Sequence, residues 1–599
     1  MSLHIFDDTM PIFLHPSTLF ILLALLLPFL GKKAWRWLMF IPPFAAIVIS
    51  FGIHDGGYWT LPYLSQDLVL GRVDRLSILF VNLFALQSLI CVMFAFHRKD
   101  RGHHVASNLY MAGAFGCILA GDYWTFFIFW QLMTVSSAFL IWLNHTARSA
   151  SAGFRYLLLL IFGSVLLLAG ILLKDQSTST FALVAIDPAH MNPCDWLILS
   201  GFCINAALFP LHAWLTDAYP EATLSGMVFL TSYTTHTAVY ALARCFAGHE
   251  ILVILGTVSA LWGMAYALFQ HTGPRILCYL IVSQIGIMVA GIGIGTHLCV
   301  NGAMAHAYAH TFYNGLLFMA MGALITASGG RTLFKLTGTG RRNPLITAGF
   351  LFGALSLSCM PLLSGFVSIP MIIHGAMAAG RGLVAFCLGL ALLGIMVTAG
   401  LKIPMCLLKS TADQKEDPLG ITPVPINMPI ALGKACMVSL ILGIFPHILY
   451  RHLPHPMDYA PYTLWNVAGF IILSGFAILI FLFLKRFIGM REWRCPDMDL
   501  VYRLAGDAVT HGVARPLAWL DDRWSEVYRK AGIRGLMGLA RGMGWVDKNG
   551  IDTTVDGVAH DVRRLSRRVA KFQDTSLQDQ LAWMILLALG IFAVFWFWV

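Results

Sequence analysis

The sequence predicts an all-α polytopic membrane protein of about sixteen transmembrane helices, and three observations carry that reading. Hydrophobic residues fill 58% of its 599 positions and charged residues only 12%, with a mean hydropathy of +0.74, more apolar surface than one soluble core hides. Apolar windows long enough to cross a bilayer recur near 12–30, 36–54, 76–96, 105–121, 123–143, 154–173, 194–214, 223–246, 251–270, 275–295, 300–326, 345–367, 383–408, 430–449, 463–485 and 581–599. Two of them are interrupted by proline in comparable ways, FPLHAW at Phe209 to Trp214 and MPLLSGF at Met360 to Phe366, with breaks placed at Pro210, Pro361 and Gly365. Paired broken helices point to an inverted-repeat bundle, although proline is common in membrane helices on other grounds.

The formal charge of +10 does not indicate nucleic acid, because the Lys and Arg sit in short linkers and near the C-terminus. The linkers after alternate spans carry Lys32, Lys33 and Arg36; Arg98, Lys99 and Arg101; Arg148; Arg331, Lys335, Arg341 and Arg342; and Arg491 and Arg494. By the positive-inside rule these loops face the cytoplasm of a bacterial-type inner membrane. The twelve cysteines are scattered, with no C-x-x-C and no Cys/His cluster at metal spacing, so no metal, iron–sulfur cluster or disulfide framework is expected. Met1 to Met10 carries Asp7 and Asp8 and no basic stretch, so the first apolar run reads as a retained span.

One segment between spans is long and polar, 489–580. In it Val555, Val558, Val562, Leu565, Val569 and Phe572 recur at alternating steps of three and four, a narrow helical seam, with Arg563, Arg564, Arg567, Arg568 and Lys571 opposite. Such a helix lies along a surface, its basic face toward water or anionic head groups, or pairs as a coiled coil.

The stretch NGAMAHAYAHTFYNGLLFMA places His306, His310 and Asn314 four residues apart, on one face of a helix. Polar side chains at membrane depth face a bundle interior or a hydrated path. A proton route and plain interhelical hydrogen bonding fit that spacing equally well.

GDYWTFFIFWQLMTVSSAFLIW, FPLHAWLTDAYPEAT followed by VFLTSYTTHTAVYALAR, VSQIGIMVAGIGIG, AHAYAHTFYNGLLFMAMG and PLLSGFVS, in that order over roughly residues 70 to 450, resemble the antiporter-like, proton-conducting membrane subunits of respiratory complex I, Mrp-type cation/proton antiporters and membrane-bound hydrogenases. The D-type Mrp branch is the most similar. The tail, WVDKNGIDTTVDGVAH and then SLQDQLAWM, is similar to the lateral-helix extension and anchor span of longer members. The resemblance implies two inverted five-helix repeats, 105–246 and 251–408, flanked by helices in 1–104 and 409–488, the lateral segment 489–580 and an anchor helix at 581–599.

It also implies a central polar axis of a Glu, several Lys and the eleventh-span histidines, and this sequence departs from it at each titratable position except two. Gln131 stands where the family has Glu, and Asn205, His236, Asn314 and Ile369 stand where it has Lys; His306 and His310 match. A carboxamide neither holds nor releases a proton near neutral pH, so the candidate axis of Gln131, Asn205, His236, His306, His310 and Asn314 is polar but short of charge. Lys402 and Lys434 are expected to snorkel toward an interface, and Asp122, Asp217 and Glu221 to be span-end residues.

The function expected is a membrane platform in a multi-subunit ion-translocating complex. A rearranged histidine route for protons, and the membrane half of a two-component inorganic-carbon accumulation system, are the alternatives. No cofactor is expected, nor an enzyme acting alone, since no phosphate loop or nucleophile triad is visible. The expected partners are the lipid bilayer, other membrane subunits including homologous antiporter-like chains, and a soluble or peripheral catalytic subunit of an oxidoreductase or translocase.

Overall fold

The computed structural model describes residues 14–31, 35–63, 66–177, 181–409, 423–485, 497–498, 504, 506–508, 510–573 and 576–598. The first ten residues, Lys32, Lys33, Arg491 and Arg494 lie outside the described residues. The chain forms two units, Met1–Leu500 and Val501–Val599.

Within the first unit a succession of helices appears twice. Arg101–Leu119, Tyr123–Trp142, the 31-residue Ala147–Ser177, the broken pair Pro193–Asn205 and Ala213–Ala218, and Leu224–Leu230 with Thr234–Cys245 make the first set. Glu250–Phe269, Gly273–Ile294, the 32-residue His297–Ser328, the broken pair Pro344–Leu357 and Ile369–Ala378, and Gly382–Ile395 continuing to Leu408 make the second. Each set encloses one isolated antiparallel bridge at the corresponding place, Asp122 with Ala182 and Thr272 with Thr332.

Local chemistry sets the ends of these elements. Asp122 accepts from the Thr125 amide and Thr296 from the Cys299 amide at helix N-termini. Gly295 and Gly329 stop the two most buried helices in the left-handed region, at φ of 76° and 68°. Gly273–Ile294 is buried along its whole apolar window, and His297–Ser328 nearly so, which places these two helices at the centre of the first unit.

Both proline-marked spans are broken as expected, and in the same manner. Non-glycine residues take positive φ at each, Ala207 at 56° in the first, Cys359 at 58° and Leu362 at 70° in the second. Gly365 is dictated by space, since a Cβ there would run into the Ser356 carbonyl.

Among the described residues eleven helices are long and apolar enough to cross a membrane unbroken, which does not confirm the count of about sixteen. Windows 194–214, 223–246 and 345–367 each divide into shorter helices, and 12–30 narrows to Pro16–Leu26, because prolines, caps and turns end helices that hydropathy alone runs together. The first unit is also not purely helical. Gly56–Tyr63 and Gln66–Val73 pair as an antiparallel hairpin, rich in the aromatic and β-branched residues that suit strands. The hairpin ties down one end of the bundle: Asp122 Oδ2 accepts from the Val69 amide at 2.7 Å, Val69 O accepts from the Gly121 amide at 2.9 Å, and Arg72 donates to Leu183 O at 2.7 Å.

In the second unit the seam is helical, Thr553–Gln573, preceded by Arg515–Val527 and Arg534–Val546 and followed by Leu577–Trp598.

Small residues let Glu250–Phe269 lie backbone to backbone on Gly273–Ile294. A Cβ on Gly256 would come within 2.7 Å of Gly286 O, whereas one on Gly433 meets nothing within 4 Å. Gly256→Ala is therefore expected to lower stability by about 1–3 kcal/mol while Gly433→Ala does not, a difference to be read as melting temperatures in detergent.

Candidate functional site

The polar stripe of the His297–Ser328 helix faces inward, and its histidines reach three other elements. His310 Nδ1 lies 3.0 Å from His236 Nε2, which Thr234–Cys245 brings across the first set. His306 Nε2 lies 2.6 Å from Gln284 Oε1 on Gly273–Ile294, and its Nδ1 3.0 Å from Ser368 Oγ at the end of the second break. All three imidazoles are buried. The His306 and His310 rings are 5.9 Å apart by centroid, with Tyr313 packed edge-on to His310 at 5.3 Å.

The partners define the tautomer at His306. The Gln284 oxygen only accepts, so Nε2 carries the hydrogen and Nδ1 is the acceptor for the Ser368 hydroxyl. That hydroxyl is also 3.2 Å from the Gly365 carbonyl, which the Ser368 and Ile369 amides approach as well, at 3.4 and 3.3 Å. If His306 gains a proton, Nδ1–H donates to Ser368 Oγ and the serine hydrogen turns to Gly365 O. Both protonation states of His306 are thus fully hydrogen-bonded without moving a backbone atom.

The structure does not bring the whole expected axis together. Asn314 is buried on the same helix with its Nδ2 unpartnered by protein, and Gln131 Oε1 on Tyr123–Trp142 is likewise unpartnered. Asn205 ends Pro193–Asn205 and points at Ala147–Ser177, where a Cβ on Gly163 would lie 3.2 Å from its Oδ1. Neither Gln131 nor Asn205 joins the histidine chain. Trp130 Nε1, Thr134 Oγ1 and Ser164 Oγ are further buried polar atoms in the first set without a protein partner, a pattern that calls for water.

Gln284 and Ser368 lie inside the motifs VSQIG and GFVS, but spacing along one helix could not reveal partners contributed by two others. Gln87, which donates to Ser232 Oγ at 3.0 Å, and the Ser88–Tyr233 pair at 2.8 Å extend the polar layer in the same unforeseen way. Arg244 fixes the far end of the His236 helix through both Asp74 oxygens, at 2.7 and 2.8 Å. Burial opposes ionisation of Asp74, yet its contacts with Arg244 outweigh this and hold the carboxyl below its ordinary range.

Lys402 corrects another expectation. Instead of snorkelling it is buried, and its Nζ donates to Leu268 O at 2.6 Å and Gln270 O at 2.8 Å. The reason is local: Glu250–Phe269 ends there and frees carbonyls that a cation satisfies. Lys434 is exposed on Asn427–Ile444. Asp122 caps its helix and Asp217 pairs with Arg155 at 2.7 Å, both at span ends. Asp497, which nothing in the sequence singles out, is buried at the first break, accepting from the Tyr279 hydroxyl and 3.4 Å from His212 Nε2.

Residues 120–395 match a family model described as NADH:quinone oxidoreductase/Mrp antiporter, transmembrane. That stretch is thus similar to the antiporter-like membrane domain. It is 27% identical over 350 residues to the D-type subunit of the Na(+)/H(+) antiporter of Alkalihalophilus pseudofirmus, covering 54% of this chain and 71% of the relative. It is 26% identical over 341 residues to hydrogenase-4 component B of Escherichia coli, covering 51% of each. Its fold is also that of a chain in the Mrp complex of Dietzia sp., with a TM-score of 0.65 and 20% identity over 78% of this chain and 98% of the other. A chain of respiratory complex I from Thermus thermophilus gives 0.64 and 21%, over 78% and 99%.

The polar interior is checkable by substitution. Gln284→Leu leaves His306 Nε2–H without its acceptor and should cost about 1–3 kcal/mol, seen as a lower melting temperature. Gln284→Asn, which keeps the carboxamide on a shorter stem, should recover part of it.

Proposed function

We propose that this chain is a membrane subunit of a multi-subunit ion-translocating complex, that its axis has exchanged the charged relay of its relatives for neutral polar groups, and that protons pass its centre through His306, His310 and His236. The observation that carries the reading is the His306–Ser368–Gly365 arrangement, in which one hydroxyl rotation accommodates either protonation state of the imidazole. A site that accepts and gives up a proton at no structural cost is what a relay needs. Support for the assembly comes from the fold neighbours, which are chains of an Mrp complex, a membrane-bound sulfane sulfur reductase and respiratory complex I.

In this reading the His310–His236 contact is the next step, and a water between His306 and His310 spans the one gap wider than a hydrogen bond. Gln131, Asn205 and Asn314 keep the surrounding cavity polar without storing charge. The repeats 105–246 and 251–408 hold the two sides of the path, and the basic linkers face the cytoplasm. A purely architectural role is the second reading, favoured by the absence of Gln131 and Asn205 from the histidine chain.

Full-length chain in proteoliposomes with an internal pH-sensitive dye and an imposed potential separates the two. A relay predicts proton uptake that falls about tenfold or more in His306→Ala and His310→Ala and is retained in Gln131→Leu. Wild-type vesicles no leakier than protein-free ones would leave the architectural role standing.

A further inference from the structure

Between Pro446–Tyr450 and Leu464–Leu484 the chain runs without regular structure through residues 451–463. Polar contacts nevertheless hold this segment at several points. The Asn301 carboxamide donates to His455 O at 2.6 Å and accepts from the His455 amide at 3.1 Å. The His455 ring lies flat on His297, with centroids 4.1 Å apart and planes 9° from parallel. At the other side Tyr462 stacks on Phe366 at 5.4 Å, and Tyr450, just before the segment, donates to Val367 O at 2.6 Å. Asn301 and His297 belong to the helix that carries His306, and Val367 precedes Ser368, the residue that holds His306. The segment therefore bridges the two elements between which His306 sits, at the end of the helix away from the basic linker that follows Ser328.

We propose that residues 451–463 are a strap closing this end of the bundle beside His306, and that acidification of the face it covers releases it by charging the stacked His297–His455 pair. Two imidazolium ions cannot share a stack of that spacing. Burial, and then His297, hold the His455 imidazole below its ordinary value. A depressed histidine favours the docked strap above the ordinary histidine value near 6.5 and weakens it as pH falls below that. The other charged or titratable groups on the elements around the pair are His374, 3.4 Å from the Tyr459 hydroxyl, and Arg381, taken by Glu250 at 2.6 Å. On the strap itself they are Arg451, His452 and Asp458, all exposed. None of these forms an ion pair with His455 among the described residues.

Release of the strap stands on this geometry alone, whereas its effect on proton passage rests on the histidine relay proposed above, so backbone exchange and not flux is the measure. Hydrogen–deuterium exchange of the full chain in lipid nanodiscs, corrected for intrinsic rates, should show peptides of 451–463 exchanging about tenfold faster at pH 5.5 than at pH 7.5, with those of 297–328 unchanged. His455→Phe, which keeps the stack and removes the proton, should abolish the difference, and Asn301→Leu should expose the strap at both pH values. His297→Tyr serves as a second stack-preserving variant and should shrink the difference. Equal protection of the wild-type strap at the two pH values, an undiminished difference in His455→Phe, or a strap still protected in Asn301→Leu would overturn the proposal.

Discussion

A bilayer offers the backbone nothing to hydrogen-bond with, and the first unit is arranged around that constraint. Two spans break within it, at 206–212 and 358–368, and each break frees carbonyls and amides that lipid could not satisfy. They are tolerated because they are buried in protein. Gly365 packs directly on Ser356, the Ser356, Ser364 and Ser439 hydroxyls bond one another at 2.6–3.2 Å, and Ser259 accepts from the Phe209 amide at 2.8 Å. At the second break the Ser368 hydroxyl lies 3.2 Å from the Gly365 carbonyl, a second resting place for its hydrogen.

Burial of that kind needs a centre, and Gly273–Ile294 with His297–Ser328 supplies it. With no lipid on any side, these two helices can carry Gln284, His306, His310 and Asn314 without exposing polarity to hydrocarbon. Neighbouring helices approach closely enough for side-chain bonds to close: His236 from the first set, Ser368 from the second break. Where charges remain they are paired or capped, Arg244 by Asp74 and Lys402 by two carbonyls at a helix end. The interior is therefore polar with little free charge, and the protonation chemistry it supports is that of imidazole.

The loops are more than connectors. The hairpin of Gly56–Tyr63 and Gln66–Val73 ties Asp122 and Leu183 together at one end of the first set, and the 451–463 segment ties Asn301 to the second break. Each of these contacts joins residues far apart in sequence, so each depends on the bundle being assembled first.

What the sequence determined by itself was everything governed by composition and short-range periodicity. The membrane solvent followed from hydropathy, the paired breaks from Pro210, Pro361 and Gly365, the inward stripe from the four-residue spacing of His306, His310 and Asn314, and the helix at Thr553–Gln573 from its seam. Such features arise from one segment meeting one solvent. Only the tertiary structure decided which polar groups meet: that His310 bonds His236, that His306 lies between Gln284 and Ser368, that Asn205 turns toward Gly163, and that Lys402 caps a helix instead of reaching for the interface. A side-chain hydrogen bond needs its partners within about 3 Å, and in a bundle that distance is set by how separate helices cross and where they break, which no periodicity within a single helix encodes.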